Sequence, residues 1–398
     1  MVERDTHYDS VVIGASPTGL FEAAALAETG AKVLVVDQSD RLGGAWTTLD
    51  LPGVGTVECG SHYLIDLPNV YSFLEEVLDI RLVLLDPPPQ YILPRRVASR
   101  LCVDFTQRWG GEISPRVHRG EVSVRSFRNL ASPYYRYVRH LLGMDGPPRR
   151  PLKYIVGGTS ALVGALERFV EQGGFDIELG KRLEDIDLSV LEKTVRCRVG
   201  NRVITAGELV ISSCTSMPSI LIDGKFVDIP GDIIPSVQLH MMVDGAAQRR
   251  LTFVQFSGSD HAILASDLTD SCTPPLVPAD RRLLSAYVRT DVPHDTATAQ
   301  AILDDFKRAG LLEREARLCF ENWSRFDLPQ RSPEELAHIE KLGGGLFRTL
   351  FTHSFSMAIS RNAPRWTPFL KQRAAKFRNP GDASGQAIAA QDAQYNRV

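Results

Sequence analysis

The sequence predicts an α/β fold in two lobes, and three observations carry that reading. An apolar run at 8–13 (YDSVVI) reads as a buried strand, a glycine-bearing turn leads into a helical stretch at 17–29, and a second apolar run at 32–37 (KVLVVD) reads as another buried strand. Gly30 closes the helix as its C-cap. Strand, helix and strand in this order form a βαβ unit with a right-handed crossover and a parallel sheet. Further along, 236–267 alternates in strand fashion (SVQLHMMVDG, LTFVQF, HAILASD), which places an antiparallel sheet at the floor of a second lobe.

The elements between follow from local signals. A strand within 53–66 ends at Glu58-Cys59-Gly60-Ser61-His62, and a helix runs from about Pro68 to Leu78 with proline in its first turn. Asp86-Pro87-Pro88-Pro89 and Gly146-Pro147-Pro148 bracket an insertion, with helices expected around 95–108 and 133–142. Gly157-Gly158 precedes a helix of about 159–172. Strands near 175–178, 182–187, 194–199, 202–205 and 208–212 then make a β-meander. Helices are expected near 279–289, 296–309 and 332–341, and a frayed tail from about 371. The expected domains are 1–80 with 151–220, completed by part of 342–370; an inserted helical lobe at 81–150; a substrate lobe at 221–341; and a tail at 371–398.

Composition sets the class. With 398 residues, 43% hydrophobic and 23% charged, the chain reads as globular, with a core large enough to bury a cofactor. No apolar run reaches the ~18–20 residues that cross a bilayer, and the start is polar, so a cytoplasmic location is expected. The six cysteines form no CxxC or zinc-like cluster, so no metal site is expected. A net charge of −3 argues against nucleic acid as a partner. Charge is uneven, however: residues 1–80 hold 13 acids and 3 bases, while 81–150 hold 13 arginines, no lysine and 5 acids. Arginine without lysine suits bidentate capture of carboxylate or phosphate. Arg95, Arg96, Arg116, Arg136 and Arg139 are candidates for an anionic small-molecule substrate, with Tyr134 to stack on a ring or sugar. A solvated surface is the plainer reading of the same charges.

The turn Gly14-Ala15-Ser16-Pro17-Thr18-Gly19 matches G-x-G-x-x-G with serine in the middle glycine slot, between a strand and a helix. Gly14 allows the tight turn, Ser16 is small enough for a pyrophosphate to approach, and Gly19 lets helix and strand pack closely. The helix N-terminus offers N–H groups and a partial positive charge to the phosphates. Asp37, 23 residues after Gly14, ends the second strand, where its carboxylate accepts hydrogen bonds from ribose hydroxyls. This is a Rossmann fingerprint. Gln38, Arg41, Gly43, Gly44, Ala45 and Trp46 follow, and the paired glycine resembles the flavoprotein loop that wraps the FAD pyrophosphate and ribityl chain.

Over 8–80 the chain resembles the glutathione-reductase-type flavoprotein superfamily, most of all the branch holding amine oxidases, protoporphyrinogen oxidase, phytoene desaturases and UDP-galactopyranose mutase. The resemblance rests on VVIGASPTGLFEAAALAETGAKVLVVDQSDRLGGAWTT and GTVECGSHYLIDLPNVYSFLEEV. It implies FAD as cofactor, with Gly60, Ser61 and His62 beside the isoalloxazine. The segment Tyr154-Ile155-Val156-Gly157-Gly158 is similar to the return element of these enzymes. The same likeness brings the backbone near Leu183 to the adenine, and the strand ending at Ser213 to the cofactor. His62 is the candidate acid/base, its plainer role being a hydrogen bond to cofactor or carbonyl. Past about 215 the likeness fades. The late Gly-Asp of the family has no clear counterpart, and Thr349–Ser356 before a helix is the better candidate for that element.

Three functions remain open on this evidence. The first is an FAD-dependent oxidoreductase, amine oxidase-like, acting on a small organic substrate. The second is a flavin-dependent sugar-nucleotide mutase-like isomerase with no net redox. The third is a non-catalytic partner subunit that keeps the nucleotide fold. No G-x-S-x-G or HExxH motif supports a hydrolase.

Overall fold

The computed structural model describes residues 6–58, 63–64, 67–84, 90–92, 102–104, 153–212, 220–227, 232–245, 253–256, 261–269, 280–308, 312–330, 333–350 and 355–377. The chain opens with β1 (Thr6–Ile13), α1 (Pro17–Glu28) and β2 (Val33–Val36), followed by a 3-10 turn at Gly44–Trp46. A hairpin of β3 (Thr48–Leu51) and β4 (Gly55–Glu58) precedes α2 (Val70–Leu78). Then come β5 (Leu82–Leu84), β6 (Gln90–Ile92), β7 (Cys102–Asp104), β8 (Lys153–Ile155), α3 (Gly158–Glu171) and β9 (Asp176–Glu178). Next are β10 (Leu183–Ser189), β11 (Thr194–Val199), β12 (Arg202–Ile211), β13 (Ile220–Ile222) and β14 (Lys225–Val227). The second half runs through β15 (Asp232–Asp244), β16 (Phe253–Phe256), β17 (Ala262–Asp267), β18 (Arg281–Val288), α4 (Thr296–Arg308) and β19 (Arg317–Gln330). It ends with α5 (Pro333–Leu342), β20 (Phe347–Thr349) and α6 (Phe355–Phe377).

The first sheet has the order β14-β13-β10-β11-β12-β1-β2-β9, with β20 also paired to β12. Its centre is parallel: β1 lies between β2 and β12, and β9 and β20 run the same way. A parallel sheet must be covered on both faces, and the strands show it, since all four residues of β2 are buried. Val12, Val33, Val35 and Val210 face the helical layer of α1, α2, α3 and α6. Their neighbours Val11, Leu34, Leu209 and Ile211 face the β10–β11 meander, Ile339 of α5 and Phe347. Phe21 of α1 anchors the helical layer in edge-to-face contact with Phe73 (5.0 Å) and Phe169 (5.8 Å), beside the buried Trp366. Such aromatic pairs contribute about 0.5–1.5 kcal/mol each beyond their buried area.

The second sheet has the order β19-β15-β18-β17-β16-β6-β7. Val237, Leu239, Met241 and Val243 of β15 bury one face of it against α4. The other face turns toward the first lobe: Met242, Leu268, Leu283 and Phe320 pack on Leu51, Val54 and Val57 of the β3–β4 hairpin.

Four expectations change. The helix near 279–289 is strand β18, because pairing with β15 on one side and β17 on the other outweighs the helical propensity of its leucines and alanine. Within the expected helix 95–108, residues 102–104 form strand β7, paired with β6; the expected helix 133–142 lies outside the described residues. The strands near 202–205 and 208–212 are one strand, β12, which turns from the antiparallel meander into the parallel sheet. The tail expected from 371 is helical to Phe377, since Trp366 and Leu370 dock α6 on the core.

Candidate dinucleotide-binding site

The turn between β1 and α1 is held from three sides. Ser16 is the N-cap of α1, and its Oγ accepts the Gly19 N–H at 3.3 Å. Ser212, one residue past β12, donates its hydroxyl to Gly14 O at 2.8 Å and its N–H to Ile13 O at 2.9 Å. Gly19 has no room for a side chain: a Cβ there would lie 2.1 Å from Gly14 O and 2.4 Å from Ser212 Oγ. Pro17 and Thr18 complete the buried first turn of α1. The N–H groups of such a turn lack intrahelical acceptors and face a ligand when one is present.

Asp37 completes the turn from β2. One carboxylate oxygen accepts the Ala15 N–H at 2.6 Å and the other the Ser39 N–H at 2.8 Å. Each ionised oxygen still has lone-pair capacity for a further donor, and the residue is only partly buried. The backbone at Asp37 also ties to the strand behind it, through Asp37 N–H to Glu178 O and Lys181 N–H to Asp37 O. Leu183 lies two residues beyond Lys181. Its side chain is in the core, so only its backbone is left for a ligand.

The second glycine pair closes on the first turn. Gly43 donates its N–H to Ala15 O at 2.9 Å, and a Cβ on Gly44 would lie 3.3 Å from Ser16 Cβ. Both take positive φ, 101° and 56°, a conformation glycine adopts without strain. Gln38, Arg41, Gly44 and Ala45 are exposed around this loop. Trp46 is buried, with its ring 4.5 Å from Phe355. The second turn thus rests directly on the first.

The structure therefore brings Gly14–Gly19, Asp37, Gly43 and Gly44 together at the carboxyl ends of β1 and β2. The predicted residues Gly60, Ser61, His62, Arg95, Arg96, Arg116, Tyr134, Arg136, Arg139 and Ser213 lie outside the described residues. Three groups were missed. Ser212 clamps the glycine turn. Glu22 of α1, 1% exposed, accepts from Trp366 Nε1 at 2.6 Å and pairs with Arg348 of β20 and Arg365 of α6. Glu58 at the end of β4 accepts the Thr159 N–H of α3 at 3.1 Å. The composition around Glu22 carries no local signal for its partners, which lie more than 300 residues away.

The sheet order and the glycine turn define a Rossmann-like unit joined to a second, largely antiparallel sheet. Residues 12–77 match the family model of the NAD(P)-binding Rossmann-like domain. The whole chain is similar in fold to a reduced UDP-galactopyranose mutase, at 15% identity over 95% of this chain and 97% of the other, with a TM-score of 0.60. It is also similar to a putrescine oxidase bound to putrescine, at 14% identity over 94% and 99% of the two chains and a TM-score of 0.59. An oxidoreductase from Methanosarcina mazei matches at 16% identity over 80% and 88%, with a TM-score of 0.51. No curated protein matches the chain in sequence. Among the described residues no helix is long and apolar enough to cross a membrane.

Proposed function

We propose that the protein is an FAD-dependent oxidoreductase acting on a small organic substrate. The observation that carries this reading is the double turn: Asp37 reaches back to Ala15 while Gly43 is hydrogen-bonded to the same residue. One glycine turn with an acid suits any adenine dinucleotide. A second glycine turn resting on it suits a longer cofactor whose pyrophosphate is wrapped from both sides. In this reading the Asp37 carboxylate holds the adenosine ribose, the N-terminus of α1 faces the pyrophosphate, and Gly43–Gly44 closes over it. The likeness in fold to an oxidase and a mutase across both lobes supports the reading. The flavin, when bound, supplies the two-electron acceptor, while the chain contributes binding, orientation and charge. His62 is assigned the handling of a proton near the flavin ring.

The test is the absorption spectrum of the purified protein, with identification of the cofactor released on denaturation. FAD is expected. A colourless protein that gains no flavin spectrum when FAD is added overturns the reading. Asp37→Ala should weaken FAD retention at least tenfold, since a hydrogen bond to a charged group contributes about 1.5–3 kcal/mol; unchanged retention removes the ribose assignment. Turnover that needs prior reduction but consumes no reductant identifies the isomerase instead.

A further inference from the structure

The cofactor reading leaves one charged cluster unused. Glu22 lies three residues past Gly19 on α1 and is 1% exposed. Its Oε1 accepts from Arg348 of β20, and its Oε2 from Arg365 and Trp366 Nε1 of α6. Arg348 also pairs with Glu208 of β12, so two acids and two bases balance. A buried ion cluster is weak evidence for stability, since apolar residues of similar volume often serve as well, and its best-attested use is to fix register. The course of α6 over α1 needs such a device. Apolar packing between the two helices is not directional. Pro364 and Pro368 lie inside α6, where each removes an N–H and weakens the helical ladder. Arg365 and Trp366 sit between these prolines, so the weakened stretch is pinned from outside by one carboxylate.

Both arms of the stretch from β20 to α6 are thereby tied to α1. On one side β20 pairs in parallel with β12, with Arg348 opposite Val210, and the Leu350 N–H reaches Ile211 O at 2.8 Å. On the other, α6 begins at Phe355, ten residues ahead of Arg365, which is ~15 Å of helix. The Phe355 ring lies 4.5 Å from the ring of Trp46. Trp46 ends the 3-10 turn opened by Gly44, and its N–H is bonded to Gly43 O at 2.9 Å. Gly43 in turn donates to Ala15 O. A contiguous chain of contacts runs from Glu22 through α6 and Phe355 to the second glycine turn, and from there to the first.

We propose that Glu22 is a positioning residue for the second glycine turn. Its carboxylate fixes where α6 sets Phe355 against Trp46, and so how firmly Gly43–Gly44 closes on Ala15 and Ser16. The effect on FAD retention rests on the flavoenzyme reading of the same site; the positioning does not.

The test uses the full-length protein, as purified with its cofactor, with 5-fluorotryptophan in place of its four tryptophans. The Trp46 19F resonance is assigned by its loss in Trp46→Phe. Glu22→Gln keeps the shape and removes the charge, and it should move the Trp46 resonance as well as that of Trp366, its direct neighbour. The dissociation constant of FAD, read by flavin fluorescence, should rise about fivefold, within the range of couplings that such networks carry. Phe355→Leu should raise it similarly, and the double variant should lose about fivefold rather than about twenty-five-fold, because both changes cut one path. Ile302→Val, in the core under the second sheet, lowers stability without touching that path and should move neither readout. A Trp46 resonance that stays still in Glu22→Gln, one that moves as far in Ile302→Val, an unchanged FAD constant in a yellow protein, or losses that multiply in the double variant overturns the proposal. Arg365→Gln removes one donor at the half-exposed edge of the cluster and should give the same changes at smaller size, so the test does not depend on Glu22→Gln folding. A yellow protein with an unmoved Trp46 fails this inference alone, and a colourless one with a displaced Trp46 fails the cofactor reading alone.

Discussion

His240 makes the stability of the protein depend on pH in a window that can be calculated. Its ring is fully buried, Nε2 is committed to Glu58 O, and desolvation lowers its pKa from about 6.5 to about 4. The unfolded chain therefore binds a proton between those values that the folded chain refuses. Stability from this group is complete above about pH 6.5 and is lost as pH falls toward 4. At one pKa unit per 1.36 kcal/mol the full loss is about 3 kcal/mol, and at pH 5 it has reached about 2 kcal/mol. The nearby Glu58, Asp267 and Tyr63 bear on the same seam. Tyr63, whose pKa burial raises far above its usual value, stays protonated throughout. Groups common to both proteins contribute equally to each, so the measurement is a double difference: urea unfolding of wild type and His240→Gln, each at about pH 7.5 and pH 5. Wild type should lose about 2 kcal/mol more than the variant over that interval. Equal losses would mean that His240 is charged or solvated in the folded protein.

Three further outcomes follow from the packing of α1 and its turn. Gly19→Ala forces a Cβ into Gly14 O and Ser212 Oγ and should cost about 1–3 kcal/mol or more in urea unfolding; a neutral effect would show that the turn is looser than described. Glu22→Ala leaves Arg348 and Arg365 without their shared carboxylate. Removing one partner from a buried ion cluster costs about 3–5 kcal/mol, and the half-exposed Arg365 sets the expectation at the lower end, measured by thermal or urea unfolding. Ser212→Ala removes the hydroxyl that ties β12 to Gly14 O. It should cost about 1 kcal/mol and raise the rate at which FAD is lost, read by fluorescence of released flavin.

What the sequence disclosed and what it hid divide along contact distance and strand period. The turn at Gly14–Gly19, its acid and the second glycine pair lie within one stretch of chain, and each residue type there has a local conformational reason. The strand 208–212 was also legible, but Ser212 at its end, whose hydroxyl clamps the glycine turn, was not singled out, since nothing local marks a serine as the partner of a turn 198 residues earlier. The Glu22 cluster was invisible, because a glutamate in a helix reads as a solvated surface residue until β20 and α6 bring two arginines from the far end of the chain. β18 misled because its residues are buried on both faces, and a continuous apolar run has no period to separate strand from helix.

The alternation of SVQLHMMV was read correctly as a strand, and the same alternation concealed its purpose. Period-two patterning ordinarily means one face in the core and one in water. Here the polar face is as buried as the apolar one, because a second lobe stands where solvent would be. The lobes meet through two kinds of contact. The hairpin seals the apolar end through Leu51, Val54 and Val57, while Glu58 at the end of the same hairpin binds His240 by its carbonyl and the start of α3 by its carboxylate. Asp37 makes the equivalent carboxylate bond to the turn that precedes α1. Both helices are thus positioned by acids of the protein itself, before any ligand arrives. Groups fixed in this way give up little freedom when a ligand binds.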